Sequence, residues 1–310
     1  MQAQIEQHYS KDKIRRMMKS FIVDNIEPEQ IEQGVKLLTE WINVDYYPSK
    51  NRRLLHVRDL DLSKIVVDVI VGTLSFTEET LLTNAVGQLA GLLKMSDKLD
   101  SIKTMSEVLA ILCELDLYDL NKDDETDSWT IISLIELPEE IQDQQVRSMY
   151  LPPMIVKPEI LTHNMDSGYQ TQHSSLILGS GNYHEGDITL DALNIMASVP
   201  LSINIEFIST IKEEPNKEIS ADLILEDYPE LTDEEAIEEA KFRIAMFDRF
   251  VKQSQEVCDL LIETGNKFYL NQKVDKRGRV YAQGYHVSTA GASYKKAAIE
   301  LYNEEIVEGI

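Results

Sequence analysis

Cysteine, histidine, positive charge and long apolar runs are all scarce in this chain, and each scarcity removes a class of protein. Only two cysteines occur in 310 residues. Cys113 and Cys258 lie far apart in helical patterns, so alone they build neither a disulfide framework nor a zinc site. They read as reduced, buried cytosolic thiols. No apolar run approaches the roughly 18 residues that a membrane span needs. The polar stretch Met1 to Asp12 lacks the apolar core of a signal peptide. A cytoplasmic protein with no membrane partner is expected. His163, His173 and His184 recur about ten residues apart, whereas metal ligands come as close pairs. No Ser/His/Asp or Cys/His order suggests nucleophilic catalysis. The acidic pairs Asp123-Asp124 and Glu213-Glu214 sit in polar runs that read as solvated loops.

Basic residues number 30 against 54 acidic ones, a net charge of −24. That balance excludes nucleic-acid binding over the whole surface but not at one focused site. Acidic outer faces keep a duplex from docking elsewhere, or meet a basic partner. What positive charge there is proves to be concentrated. Residues 266–296 carry Lys267, Lys273, Lys276, Arg277, Arg279, Lys295 and Lys296 against Asp275 alone, a local charge of +6 that leaves −30 on the rest. A basic patch on an acidic protein is a local anion site, and the obvious polyanion is nucleic acid.

The centre of that patch is Asp275-Lys276-Arg277-Gly278-Arg279-Val280-Tyr281. Gly278, without a Cβ, lets the backbone turn sharply and approach a phosphate. Arg279 offers a planar fork for phosphate oxygens, and Asp275 can hold that fork by a charge-assisted bond. Lys276 and Arg277 add attraction, and Tyr281 adds a flat face and a hydroxyl. A basic turn on a solvated surface is the plain alternative.

Residues 5–120 read mostly helical. Lys11 to Lys19 has a basic face opposite Ile14, Met17 and Met18, and Gln30 to Val44 places Leu37, Leu38 and Trp41 at helical spacing. Lys50, Arg52, Arg53 and Arg58 fall in an expected loop after Tyr46-Tyr47-Pro48. A helix is expected from Thr77 and another over Met105 to Leu115. Leu117 to Leu120 and Trp129 to Leu137 read as extended. Helices followed by a small hairpin fit a winged-helix-like element and equally a generic packed core. Pro152, Pro153 and Pro158 mark a boundary. Tyr169 to Tyr183 reads as a hairpin turning at Gly179-Ser180-Gly181. Thr232 to Glu235 is a capping box, and from there Ile237, Ile244, Val251 and Cys258 recur every seven residues up to the stop at Gly265. A helix of that length suits a projecting arm, or one long member of a bundle. Composition, 43% hydrophobic and 27% charged, suffices for one large core or two modest ones.

Asp-x-x-Gly-Arg followed by Val280-Tyr281-Ala282 resembles the sequence that opens the palm of T7-like, single-subunit DNA-directed RNA polymerases. Its flanks agree: Asn266-Lys267-Phe268-Tyr269 before it, and Val287-Ser288-Thr289-Ala290-Gly291 after it. Pro152-Pro153-Met154-Ile155-Val156-Lys157-Pro158 with Ser167-Gly168-Tyr169 is similar to the family's proline-rich lead-in and Gly-Tyr hairpin. Asp191 to Asn194 through Val199 to Asn204 is similar to its helix pair ahead of the thumb. Order and spacing match over roughly residues 148–310. Tryptophans often seen after the proline run and before the Ile-Asn pair are missing, Leu201 standing at the second site. The Gly-Gly-Tyr turn is Ser167-Gly168-Tyr169 here, and residues 1–147 match loosely.

The resemblance implies a mostly α fold with small β elements (α+β). A helical N-terminal domain would occupy 1–147, and the proline lead-in, hairpin and helix pair 148–230. A thumb-like long helix would occupy 231–265 and the start of a palm 266–310, completed by a partner chain. The family's metal-holding palm aspartates and its nucleotide-binding Arg-x-x-x-Lys helix have no counterpart in this sequence. The arrangement is similar to the split, heterodimeric phage N4-type polymerases, with this chain as the smaller subunit. In that case Lys273, Asp275, Lys276, Arg277, Gly278, Arg279 and Tyr281 would meet the DNA template or RNA–DNA hybrid. A large catalytic subunit would hold Mg2+ and take nucleoside triphosphates. Phage promoter-loading factors would be further partners, and the compartment would be the cytoplasm of an infected bacterium. A non-catalytic nucleic-acid-binding or regulatory protein sharing only the loop is the alternative. The C-terminal stretch after Gly291, with Ala297, Ala298, Ile299, Leu301 and Tyr302, reads as an apolar helix that calls for a partner.

Overall fold

The computed structural model describes residues 1–123, 127–179, 186, 188–210, 219–291 and 293–303. It is mostly helical with small antiparallel sheets. Two compact units form, Lys11–Gln145 on one side and Met1–Ser10 with Val146–Ile310 on the other. The first ten residues therefore fold with the second unit rather than with the helical domain that follows them in sequence. The cause is polar. In α1 (Gln2–His8), the buried Glu6 carboxylate accepts the Gln170 and Thr171 N–H groups at 3.0 and 2.7 Å, and Gln2 Oε1 accepts the Ile155 N–H at 2.9 Å. Hydrophobic periodicity cannot announce such bonds.

In the smaller unit, α2 (Lys11–Asn25), α3 (Pro28–Asn43), α4 (Pro48–Arg58) and α5 (Leu62–Thr73) come first. Strand β1 (Thr80–Leu81), α6 (Leu82–Leu89), α7 (Lys98–Leu112), β2 (Tyr118–Asp123), β3 (Ser128–Ser133) and α8 (Glu139–Arg147) follow, the unit boundary falling within α8. Ile22, Leu38, Leu54, Val69, Ile70 and Leu109 share one core. Each such side chain contributes about 1.5–3 kcal/mol relative to exposure. The strand order is β1-β3-β2, all antiparallel. Helix, strand, two helices and a hairpin whose second strand pairs with β1 is an order compatible with a winged-helix-like element and equally with a generic packed core. Two expectations change here. Lys50 to Arg58 is helix, not loop, because Pro48 at the first turn supplies a preset φ. The helix expected from Thr77 starts at Leu82, because Thr80 and Leu81 pair with Ile131 and Thr130.

The larger unit adds α9 (Leu190–Ala197), β4 (Leu201–Ile203), α10 (Ile205–Thr210), α11 (Ala221–Asp227) and α12 (Asp233–Glu263). Then come β5 (Gln272–Val274), β6 (Val280–Ala282), α13 (Ser293–Ala297) and β7 (Ile299–Leu301). Helix α12 starts at the Thr232/Glu235 capping box and runs 31 residues, about 46 Å at ~1.5 Å per residue. Its fully buried residues lie toward its ends. Ala236 and Ala240 meet Ile224 of α11, while Val257 and Leu261 enter the main core with Ile203 and Phe268. No residue from Lys241 to Lys252 is buried. The seven-residue apolar repeat is not the seam: Ile237 and Ile244 are exposed, and Val251 and Cys258 half-buried. A strict heptad stripe suits a continuous coiled-coil partner. Here the partners are separate pieces: α11 at the start, the Tyr285–His286 rings at Phe250 and the main core at the end.

Three further expectations shift. Cys113 and Cys258 are both half-buried rather than buried. Residues 169–179 form no strand, and Ile177 makes a single parallel bridge to Val274. The turn expected there falls on Ser180 and Gly181, which like Tyr183, His184, Asp124 and Glu213-Glu214 lie outside the described residues. The apolar C-terminal stretch is a five-residue helix and then a strand. β7 supplies the hydrogen-bonding edge that β4 needs, with Ile203 opposite Ile299. Among the described residues no helix is long and apolar enough to cross a membrane.

Candidate functional site

The segment 268–274 is the spine on which the site is built. Leu201 bridges Phe268, Met154 bridges Tyr269 and Ile177 bridges Val274. Tyr169, buried, hydrogen-bonds the Pro152 carbonyl at 3.4 Å, and Gly168 adopts φ +74° against Asn271. Asn266 clamps both the N–H and the C=O of Ile203 at 2.9 Å. The proline stretch, the Gly-Tyr turn and the Ile203-Asn204 stretch, far apart in sequence, thus meet on one extended segment. That segment continues into β5.

Strands β5 and β6 form a hairpin with Lys273 opposite Tyr281 and Val274 opposite Val280. Residues 275–279 close it. The Gly278 N–H donates to the Asp275 carbonyl and the Asp275 N–H to the Arg279 carbonyl, both at 2.9 Å. Gly278 turns the chain at φ +79°, a region that costs residues with a Cβ about 1–2 kcal/mol. A Cβ there would meet nothing within 4 Å, so the backbone at the tip is open to approach. Asp275 organises the loop from inside. Its Oδ1 accepts the Arg277 and Arg279 N–H groups at 2.9 and 3.0 Å. Its Oδ2 accepts Arg279 Nε at 2.7 Å, with Arg277 Nη2 at 3.2 Å and the Tyr281 hydroxyl at 3.3 Å. The Asp275 side chain is 15% exposed, whereas Arg277 and Arg279 are 70% and 54% exposed. One carboxylate holds both arginines without covering them, and the Arg279 guanidinium lies 5.7 Å from the Tyr281 ring centre.

Removal from water raises the Asp275 pKa, and the Arg279 N–H and guanidinium with the Tyr281 hydroxyl outweigh it, leaving the carboxyl below its ordinary value. The same hydrogen bond to Asp275 raises Arg279. The brace is therefore intact above the ordinary aspartate range near pH 4 and is lost as pH falls through the lowered value. Lys276 is exposed at the tip. Lys273 differs from its neighbours: its Nζ donates to Ser174 Oγ at 2.8 Å, and burial lowers its pKa. It anchors the hairpin instead of reaching outward.

The other basic clusters behave differently. Arg53 donates to Thr104 and Glu107, Lys50 pairs with Glu107, and Arg58 caps α3 through the Ile42 carbonyl. On α2, Lys19 pairs with Asp68, while Lys11, Arg15 and Arg16 are exposed.

One assembly was not visible in the sequence. Tyr150 and Tyr285 stack with ring centres 3.9 Å apart and planes 9° from parallel. Tyr285 meets Phe250 and His286 at nearly perpendicular ring angles, 82° and 83°, and Lys295 Nζ sits 4.0 Å above the Phe250 ring. Burial and the Lys295 charge push the His286 pKa down to about 4, and its Nδ1 lies 3.0 Å from Ser254 Oγ. Gly284, at φ +110°, makes the turn into this cluster, and a Cβ there would lie 2.6 Å from the Val287 carbonyl. The only sequence signal was this glycine before two ring residues. Tyr150 lies 135 positions away.

Among the described residues no group of three or more His, Cys, Asp or Glu side chains could hold a metal ion. No protein-family model matches the chain, and no curated protein matches it.

Proposed function

We propose that this chain is the small subunit of a split, T7-like DNA-directed RNA polymerase. In this role the β5–β6 loop grips the backbone of the template or of the RNA–DNA hybrid, and the chain completes the active site of a large catalytic subunit. The observation that carries the reading is Asp275 presenting Arg277 and Arg279 outward around an open Gly278. Two forks at a tip where backbone can approach closely suit phosphate oxygens better than a single point charge would. The meeting of the proline, Gly-Tyr and Ile-Asn stretches on residues 268–274 supports it, because these are the stretches that resemble the family. The long α12, unburied through its middle, fits the projecting thumb.

The metal and the nucleotide belong to the partner in this scheme. This chain positions nucleic acid and does not perform the bond-making step. Binding through phosphates is insensitive to sequence and falls steeply with salt.

The test is co-expression with the candidate large subunit from the same genome, followed by extension of a primed transcript. Extension requiring both chains is expected, with Arg279→Ala lowering elongation while co-purification stays intact. A monomer that binds nucleic acid but joins no partner and supports no extension would sink the polymerase assignment and leave a phosphate clamp. Wild-type elongation by Arg279→Ala would remove the role given to that side chain.

A further inference from the structure

The geometry points to a second nucleic-acid contact: the Tyr150–Tyr285 stack is a platform for the unpaired bases of a single strand whose phosphates lie at the β5–β6 loop. This rests on the nucleic-acid reading above and adds to it a preference for single strands.

The rings have the form that stacking needs. Tyr150 and Tyr285 are parallel and in contact, yet 42% and 49% exposed. Two tyrosines already stacked on each other offer an aromatic layer on which a flat base extends the pile. Phe250 and His286 brace Tyr285 through edge contacts at 5.6 and 5.2 Å, so its ring is held in orientation. His286 stays neutral at physiological pH, its pKa lowered by burial and Lys295, which keeps the brace uncharged.

The surroundings select a polyanion. Lys295 lies over Phe250 beside the stack, and Tyr285 belongs to the same +6 stretch as the loop arginines. Arg279 and Tyr285 flank β6 and are six residues apart, at most about 20 Å of chain. Stacked bases repeat every ~3.4 Å along a strand, so a strand of about six nucleotides spans both contacts. Aromatic faces take any base, because every base has a π-face. A paired duplex keeps its bases stacked within itself and can use only the loop.

The experiment measures binding of the full chain to a fluorescent 12-nucleotide single-stranded DNA, the same sequence as RNA, and the DNA duplex. Wild type, Tyr285→Leu, Tyr285→Phe, Tyr150→Leu and Arg279→Ala are compared. Expected is about a ten-fold loss of single-strand affinity in either leucine variant. Duplex affinity should be unchanged, and Tyr285→Phe should bind like wild type because it keeps the ring. Arg279→Ala should weaken single strand and duplex alike. The larger loss between DNA and RNA identifies the strand that lies there. Unchanged single-strand binding in both leucine variants, or equal loss on single strand and duplex, overturns the platform while Arg279→Ala still reports the loop. No binding of any oligonucleotide by wild type overturns the nucleic-acid reading itself.

Discussion

In α4, Arg53 is 6% exposed and donates to Thr104 and Glu107, side chains contributed by α7 more than fifty positions away. In the β5–β6 loop, Arg279 is 54% exposed and bonds a carboxylate four positions away. Both arginines come from runs with three or more cations, and both have an acidic partner. The difference is where the partner originates. A carboxylate on another helix draws the guanidinium into the interior, where it fixes two helices and is lost to any ligand. A carboxylate inside the same tight loop holds the guanidinium in shape and leaves it at the surface. Counting cations therefore does not locate an anion site; the origin of their counter-charges does.

The contrast can be broken most forcefully at the buried arginine. Arg53→Ala leaves Glu107 with Lys50 alone and empties a space between α4 and α7. We expect about 3 kcal/mol of lost stability, read by urea unfolding, with nucleic-acid affinity unchanged. A change in binding with no change in stability would reverse the roles assigned to the two clusters. Arg279→Ala is the mirror experiment. Affinity should fall about ten-fold at low salt, and the slope of log affinity against log salt should shrink by about one. The unfolding midpoint should stay in place.

A finer test lies in the loop backbone. Gly278→Ala meets no atom but forces a Cβ into φ +79°, for about 1 kcal/mol of stability and a distorted arginine pair. Calorimetry and the same binding titration would show both losses together. A pH-dependent effect concerns a third basic group, His286, which is half-buried without a carboxylate partner in the contacts described. Its folded pKa of about 4 lies below the ordinary 6.5. The unfolded chain then binds more protons between those values, so stability falls as pH drops from about 6.5 to 4. His286→Phe should flatten that part of the unfolding-midpoint profile.

Much of this was legible beforehand where the cause is local. The capping box placed the start of α12 within a residue, and the Asp275–Arg279 brace followed from four-residue spacing around a glycine. The extended reading of Leu117 to Leu120 overlaps β2 at Tyr118 to Leu120, and the helix ending near Leu115 came from apolar patterning. The misreadings share another cause. Lys50 to Arg58 lacks a clean apolar stripe and so read as loop. Ile237 and Ile244 kept a heptad rhythm that no neighbour uses. Ile299 to Leu301 looked helical beside its alanines, until β4 claimed its backbone.

The sequence alone determined the mostly helical character, the long capped helix, the concentration of positive charge near the C-terminus and the chemistry of its loop. These depend on residues within a turn or two of one another, where sterics and hydrogen-bond reach act directly. Only the tertiary structure decided that residues 1–10 join the second unit, that Arg53 is buried while Arg279 is displayed, and that Tyr150 meets Tyr285. Each of those outcomes is a contact between positions far apart along the chain. Its energy appears only once the intervening chain has been ordered, and no local pattern records it.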